Sequence, residues 1–124
     1  MSNKLVINNA AVLVHLYAEV DGLDLMQVHN SPGFVDHIRT LGCVIYDYSG
    51  ATQVTLSQTE IESFAKLAFF ESRIKENVTL MIIPQDPNNK ARVQQYMQAV
   101  SPSGWSILVF DTLKQALASL PTRA

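Results

Sequence analysis

The chain has 124 residues, 48% of them hydrophobic and 16% charged, with nine Lys and Arg against eleven Asp and Glu and a net charge of -2. That length holds one core between a sheet and its helices, so a single domain over 1–124 is expected and a second is excluded. The composition excludes a disordered chain, and the near-neutral charge, with its basic residues scattered, excludes nucleic-acid binding through a broad basic face.

The opening MSNKLVINN lacks the apolar stretch and the small-residue cleavage pattern of an export signal, which predicts a cytoplasmic protein. KLVIN at 4–8 and AVLVHLYAEV at 11–20 read as strands joined by the short NNA, an antiparallel hairpin at a sheet edge. In the second of them Leu13, His15 and Tyr17 share the face opposite Val12, Val14 and Leu16, and His15 reads as a structural or surface residue. LDLMQVHNSPGFVDHI at 23–38 reads as helical, with Ser31, Pro32 and Gly33 as the place for an interruption.

CVIYDY at 43–48, VTLMII at 78–83 and WSILVF at 105–110 are short, continuously apolar and rich in β-formers, the pattern of strands covered on both faces. After the first of these, Ser49, Gly50 and Ala51 read as a small-residue turn that leads into a helix. Ser57 and Glu60 form a capping box that opens this helix, which extends to about Lys75. Val93, Tyr96, Met97 and Val100 make one later stripe at helical spacing, and Leu113, Ala116, Leu117 and Leu120 make another.

Cys43 has no partner for an internal disulfide, which fits a reducing compartment, and its neighbours LGCVIY place it as a small apolar residue at the start of a buried strand. The NVT sequon at Asn77 is read as accidental in a chain without an export signal. LMII, among the longest apolar runs, is far too short to span a bilayer, so no integral membrane segment is expected. Alternation of strand and helix implies right-handed crossovers and an α/β fold: a mostly parallel sheet of about five strands with an antiparallel N-terminal edge, flanked by helices.

Three segments resemble a known family and together span nearly the whole chain. VIYDYSGATQVTLSQ is similar to that family's strand, Asp and strand-to-helix turn; LMIIPQDPNNKARVQQYMQ is similar to a strand and an Ala-Arg-containing helix; WSILVFDTLKQALASL is similar to a closing strand that ends in Val-Phe and a helix with Ala and Leu at fixed offsets. The chain resembles a SpoIIAA-like member of the STAS superfamily, named for sulfate transporters and the antagonists of anti-sigma factors. The resemblance implies a non-enzymatic interaction or regulatory module. In antagonists of that family the turn after the third strand carries Asp-Ser-Ser-Gly, whose first serine is phosphorylated by a partner kinase. Laid over that pattern, this sequence has Thr55, Leu56, Ser57 and Gln58, so the acceptor position holds Leu56 and has no hydroxyl. Ser57 matches the second serine, and its spacing to Glu60 makes it a helix cap.

Ligands of open parallel sheets meet the protein beyond the carboxyl ends of the strands. Glu19, Asp21, Asp47, Asp86 and Asp111 fall at those ends, a set of carboxylates of the kind that holds magnesium in phosphoryl chemistry, with Asp47 as the acceptor. That chemistry also needs adjacent acids and a lysine after the last strand, whereas AEVDG separates its acids and VFDT has no lysine. His29, Asp36 and His37 match no metal-site spacing, and no phosphate loop, serine elbow or paired-cysteine motif is present. No catalytic residue, metal ligand or cofactor is therefore assigned. The candidate ligand- or partner-contacting residues are Asp47, Tyr48, Thr55, Ser57, Gln85 and Asp86.

The helix from Ser57 has two apolar stripes. Ile61, Phe64, Ala65 and Ala68 form the core stripe, and Leu67, Phe70 and Ile74 form a second nearly opposite it at about 100° per residue. Three covers are open for the second stripe: the segment HNSPGFVDHI or the C-terminal helix, a second copy of the chain in a homodimer, or an apolar ligand in a cavity lined by Phe69, Phe70, Met26 and Met81. The leading expectation is a homodimeric interaction module with an unidentified protein partner. The alternative is a carrier or sensor of a small apolar or amphipathic ligand.

Overall fold

Five strands, β1 (Asn3–Ile7), β2 (Val12–Asp21), β3 (Cys43–Thr55), β4 (Thr79–Ile83) and β5 (Ser106–Val109), form one sheet whose spatial order equals their chain order. A computed structural model describes residues 3–7, 10–86 and 91–120. β1 runs antiparallel to β2 with Leu5 opposite Val14, and the three remaining pairings are parallel. The expected mixed α/β sheet with an antiparallel edge is therefore present. Asn8 and Asn9 of the hairpin connection, and Pro87 to Lys90 of the second resembling segment, lie outside the described residues.

The expected long helix after β2 is two: α1 (Gly22–His29) and α2 (Phe34–Leu41), separated at Ser31, Pro32 and Gly33 as the composition suggested. Asp21 caps α1 by accepting from the Asp24 N–H, and α2 stops at Gly42, whose left-handed backbone (φ 73°) lets its N–H reach back to the Ile38 carbonyl. α3 (Gln58–Ser72) opens on Ser57. Its Oγ accepts from the Glu60 N–H at 3.1 Å, while the Glu60 carboxylate accepts from the Ser57 N–H at 3.0 Å. α4 (Ala91–Val100) and α5 (Leu113–Ala118) follow; Thr112 and Gln115 form a third capping box.

β3 departs from the sequence reading. Ser49, Gly50 and Ala51 do not turn the chain; the strand continues through them to Thr55. Their smallness serves a close approach instead. A Cβ on Gly50 would lie 2.9 Å from the Tyr17 ring and 3.1 Å from the Leu16 carbonyl, so only glycine fits beneath that tyrosine. The β2–β3 register shifts between His15 and Tyr17 and again between Ala18 and Glu19, with β3 carrying the extra residue each time. Small residues placed at a bulge look, in one dimension, like small residues placed at a turn.

Two apolar layers follow from the strand alternation. Val12, Val14, Leu16, Val44 and Leu80 pack with Leu25, Val28, Phe34, Ala65, Ala68 and Val100 of α1 to α4. The opposite face carries Leu13, Cys43, Ile45, Met81 and Ile83, covered by Ala116, Leu113 and Leu120 of the α5 region. Cys43 lies in that second layer, and burial pushes its thiol up to about 11, as expected of an inert apolar cysteine.

Ala18 holds a left-handed backbone (φ 55°) at the second bulge and is exposed. Ala18→Gly is expected to raise stability by up to about 1 kcal/mol, and Ala18→Val to lower it by about 1–2 kcal/mol, because a Cβ is strained there and a branched one more so. Urea denaturation midpoints of the two variants check the pair.

Candidate functional site

The side of the sheet that faces α1 to α4 holds a cleft of about 330 Å³ that is partly open to solvent. Its floor is the sheet: Val44, Tyr46, Tyr48 and Val54 of β3, with Leu80 and Ile82 of β4. Its roof is helical, from Leu25 and His29 through Val35 and Ile38 to Phe64, Leu67 and Ala68. Arg92, Val93 and Tyr96 of α4 and the Trp105 ring complete the wall. Many of these side chains are neither fully buried nor exposed, because one side of each packs on the core and the other opens into the cavity.

Polar groups on this wall fall into two sets. At one end the Arg39 guanidinium donates to Glu71 Oε2 through Nη2 at 3.0 Å and Nε at 3.3 Å, joining α2 to α3 and neutralising the carboxylate. The Trp105 indole N–H donates to the Lys75 carbonyl at 2.9 Å. Elsewhere on the wall stand three tyrosines. Tyr46 and Tyr48, two residues apart on one strand, point the same way from β3; Arg92 and Tyr96, four apart, share one side of α4. Among the described residues the three hydroxyls make no hydrogen bond. Burial holds all three phenols above the ordinary tyrosine value: Tyr46 and Tyr48 well above it, Tyr96 up to about 12. Tyr46 is raised further by Tyr96 and Tyr48, and Tyr48 by Tyr96, while the Arg92 charge works against the rise at Tyr48.

Of the residues expected from sequence, Tyr48, Gln85 and Asp86 come together at this cavity, and the Gln85 amide donates to the Thr52 carbonyl at 2.7 Å. Asp47, Thr55 and Ser57 do not line it. Thr55 is exposed at the end of β3 opposite Asp21, and Ser57 is engaged as the cap of α3. Asp47 points to the opposite face, where its Oδ1 accepts from the Ser49 hydroxyl at 2.6 Å and the Ser49 N–H at 3.0 Å, and its Oδ2 lies 3.4 Å from His15 Nδ1. The His15 ring stacks on Tyr17 with centroids 6.4 Å apart. Here the aspartate touches both the serine and the histidine, so the order of a hydrolytic relay, with histidine in the middle, is not formed. Asp21 is spent as a cap, and among the described residues no three His, Cys, Asp or Glu side chains converge as a metal site.

α3 ends at Ser72, short of the expected Lys75, so Ile74 falls in the turn after it and the second apolar stripe divides. Leu67 turns into the cavity with Val35 and Ile38, whereas Phe70 and Ile74 are each 64% exposed. The proposed lining by Phe69, Phe70, Met26 and Met81 is overturned: none of them lines the cavity, Met81 belongs to the layer on the far face, and Phe69 and Phe70 face outward. The residues missed, Tyr46, Arg92 and Tyr96, carried a readable signal in their spacings of two on a strand and four on a helix.

No family model and no curated protein matches the chain. Two solved structures do. The anti-sigma factor antagonist SpoIIAA in its unphosphorylated form superposes with a TM-score of 0.56 at 9% identity, with 94% of each chain covered. A protein of the DUF3478 family with a SpoIIAA-like fold, from Shewanella loihica PV-4, superposes with a TM-score of 0.59 at 13% identity, covering 96% of this chain and 92% of the other. The chain thus has a SpoIIAA-like fold, as its three resembling segments implied. Among the described residues no helix is long and apolar enough to cross a membrane.

The raised phenols set the alkaline limit of stability. Above pH ~10 the unfolded chain loses tyrosine protons that the folded chain retains, so the unfolded state binds fewer protons and stability falls as pH rises, by up to about 1.4 kcal/mol per pH unit for each tyrosine. Below that pH these groups contribute no slope. Denaturant titrations from pH 9 to pH 11 are expected to show the fall, and Tyr96→Phe to make it shallower.

Proposed function

We propose that the protein is a non-enzymatic cytoplasmic module of SpoIIAA-like fold that carries or senses a small apolar or amphipathic ligand. One observation carries the reading: a cavity of about 330 Å³ in which an aromatic and aliphatic wall surrounds a few convergent polar groups. That volume falls at the small end of the range for ligand pockets. A regulatory use agrees with the fold, which SpoIIAA shares, although fold likeness alone does not transfer a role. In this reading a phosphoswitch of the antagonist type has no acceptor, because the sequence resemblance lays Leu56 on that position; Leu56 lines the cleft and Ser57 caps α3. The acid-lined magnesium reading loses its geometry because Asp47 faces away from Asp86 through the thickness of the sheet.

Native mass spectrometry of protein purified without denaturation tests the proposal. A discrete added mass is expected, and the compound so identified, supplied at about 100 times its Kd, should stabilise the fold by about 2.7 kcal/mol by mass action. A bare chain that gains no thermal stability from apolar or amphipathic probes would sink the reading.

A homodimer through α3 is a second reading, favoured by the exposure of Phe70 and Ile74. In the same spectra it predicts twice the chain mass, reduced to the single chain in Phe70→Glu/Ile74→Lys. Leu67 is left unchanged in that variant because it belongs to the cavity wall.

A further inference from the structure

The geometry points to a carboxylate as the head group of the ligand, held by Arg92 and the phenols of Tyr48, Tyr96 and Tyr46; this inference rests on the cavity being a ligand site. Three phenols whose hydroxyls make no hydrogen bond among the described residues line one largely apolar cleft and are not sealed from it, so a ligand seated there meets them directly. Their raised ionisation keeps them protonated at neutral pH, so each presents an O–H donor to the cavity. Donors without a matching acceptor call for an acceptor-rich group on the ligand.

Arg92 decides the charge of that group. It forms no ion pair with a described residue, whereas of the two carboxylates on the wall Glu71 is joined to Arg39 and Asp86 is engaged in an interaction of its own. Arg92 stands close enough to Tyr48 for its charge to work against the rise of that phenol, so guanidinium and phenol can meet one head group. One guanidinium and three phenols balance a single negative charge. A phosphate dianion would leave a second charge uncompensated in an apolar surround. The remaining wall, from Phe64 to Leu67 and Ile38, has no further donor and suits a hydrocarbon body. The ligand class is therefore an amphipathic monocarboxylate, with its acid at the α4 side and its chain running under α3.

Titration calorimetry at pH 7.5 with decanoate and the matched neutral decan-1-ol tests this in the full chain. The wild type is expected to bind decanoate at least about tenfold more tightly than the alcohol, as a charge-assisted contact gives. Arg92→Gln, an exposed position whose change leaves the core intact, should remove most of that preference and leave the alcohol's affinity unchanged. Tyr48→Phe should weaken the acid alone. Equal affinity for acid and alcohol in the wild type, or losses in Arg92→Gln that fall on both alike, would overturn the head-group assignment while leaving the cavity as a ligand site. Binding of neither probe would overturn both.

Discussion

The strand order imposes the constraint on which the rest of the structure depends. β2, β3, β4 and β5 lie side by side in chain order, and crossovers between parallel neighbours are right-handed as a rule. Three such crossovers that advance in the same direction must all pass over the same face. α1 to α4 therefore crowd one side of the sheet, and only the short α5 returns to the other. A sheet wound this way has no place where the order of its parallel strands reverses. The crevice at which doubly wound proteins bind their ligands is absent, and carboxylates at the strand ends have no common hollow to converge on.

The same crowding opens a different space. α1 and α2 are each eight residues long and broken from one another at Ser31 to Gly33, so neither extends along the whole sheet. α3 turns small residues, Ala65 and Ala68, toward the strands. Beneath them Tyr46 and Tyr48 stand up from β3 with their hydroxyls away from any backbone partner. Short helices, small roof residues and long floor residues leave a gap between sheet and helices that the apolar side chains line without filling. The far face, covered by one helix, instead accommodates polar residues: His15, Asp47 and Ser49 satisfy one another there beside Tyr17.

Likeness to SpoIIAA is a likeness in the course of the chain. The helix that begins at Ser57 is opened by a reciprocal pair with Glu60, and that carboxylate also occupies the space where a Gly22 side chain would be. Ser57 thereby ties the end of β3 to α3 and, through Glu60, to the start of α1. A hydroxyl committed to a helix cap and a close interhelical approach has a structural reason to be where it is.

Elements whose causes are local could be recognised in one dimension. The capping pairs Ser57–Glu60 and Thr112–Gln115, the break at Pro32 and Gly33, the buried apolar runs of β3 and β4 and the inert placing of Cys43 are each set by neighbours a few residues away. The α/β class followed from their alternation. What spans the chain was decided only by tertiary structure. The β3 extension through Ser49, Gly50 and Ala51 exists because Tyr17, more than thirty residues earlier, packs over Gly50. Asp47 and Tyr48 are adjacent in sequence and occupy opposite faces of the sheet, so one pairs with His15 and the other enters the cavity. Tyr46, Tyr48, Arg92 and Tyr96 come to line one cleft because α4 lies over the same face that β3 presents, a consequence of chirality and strand order that no single segment contains.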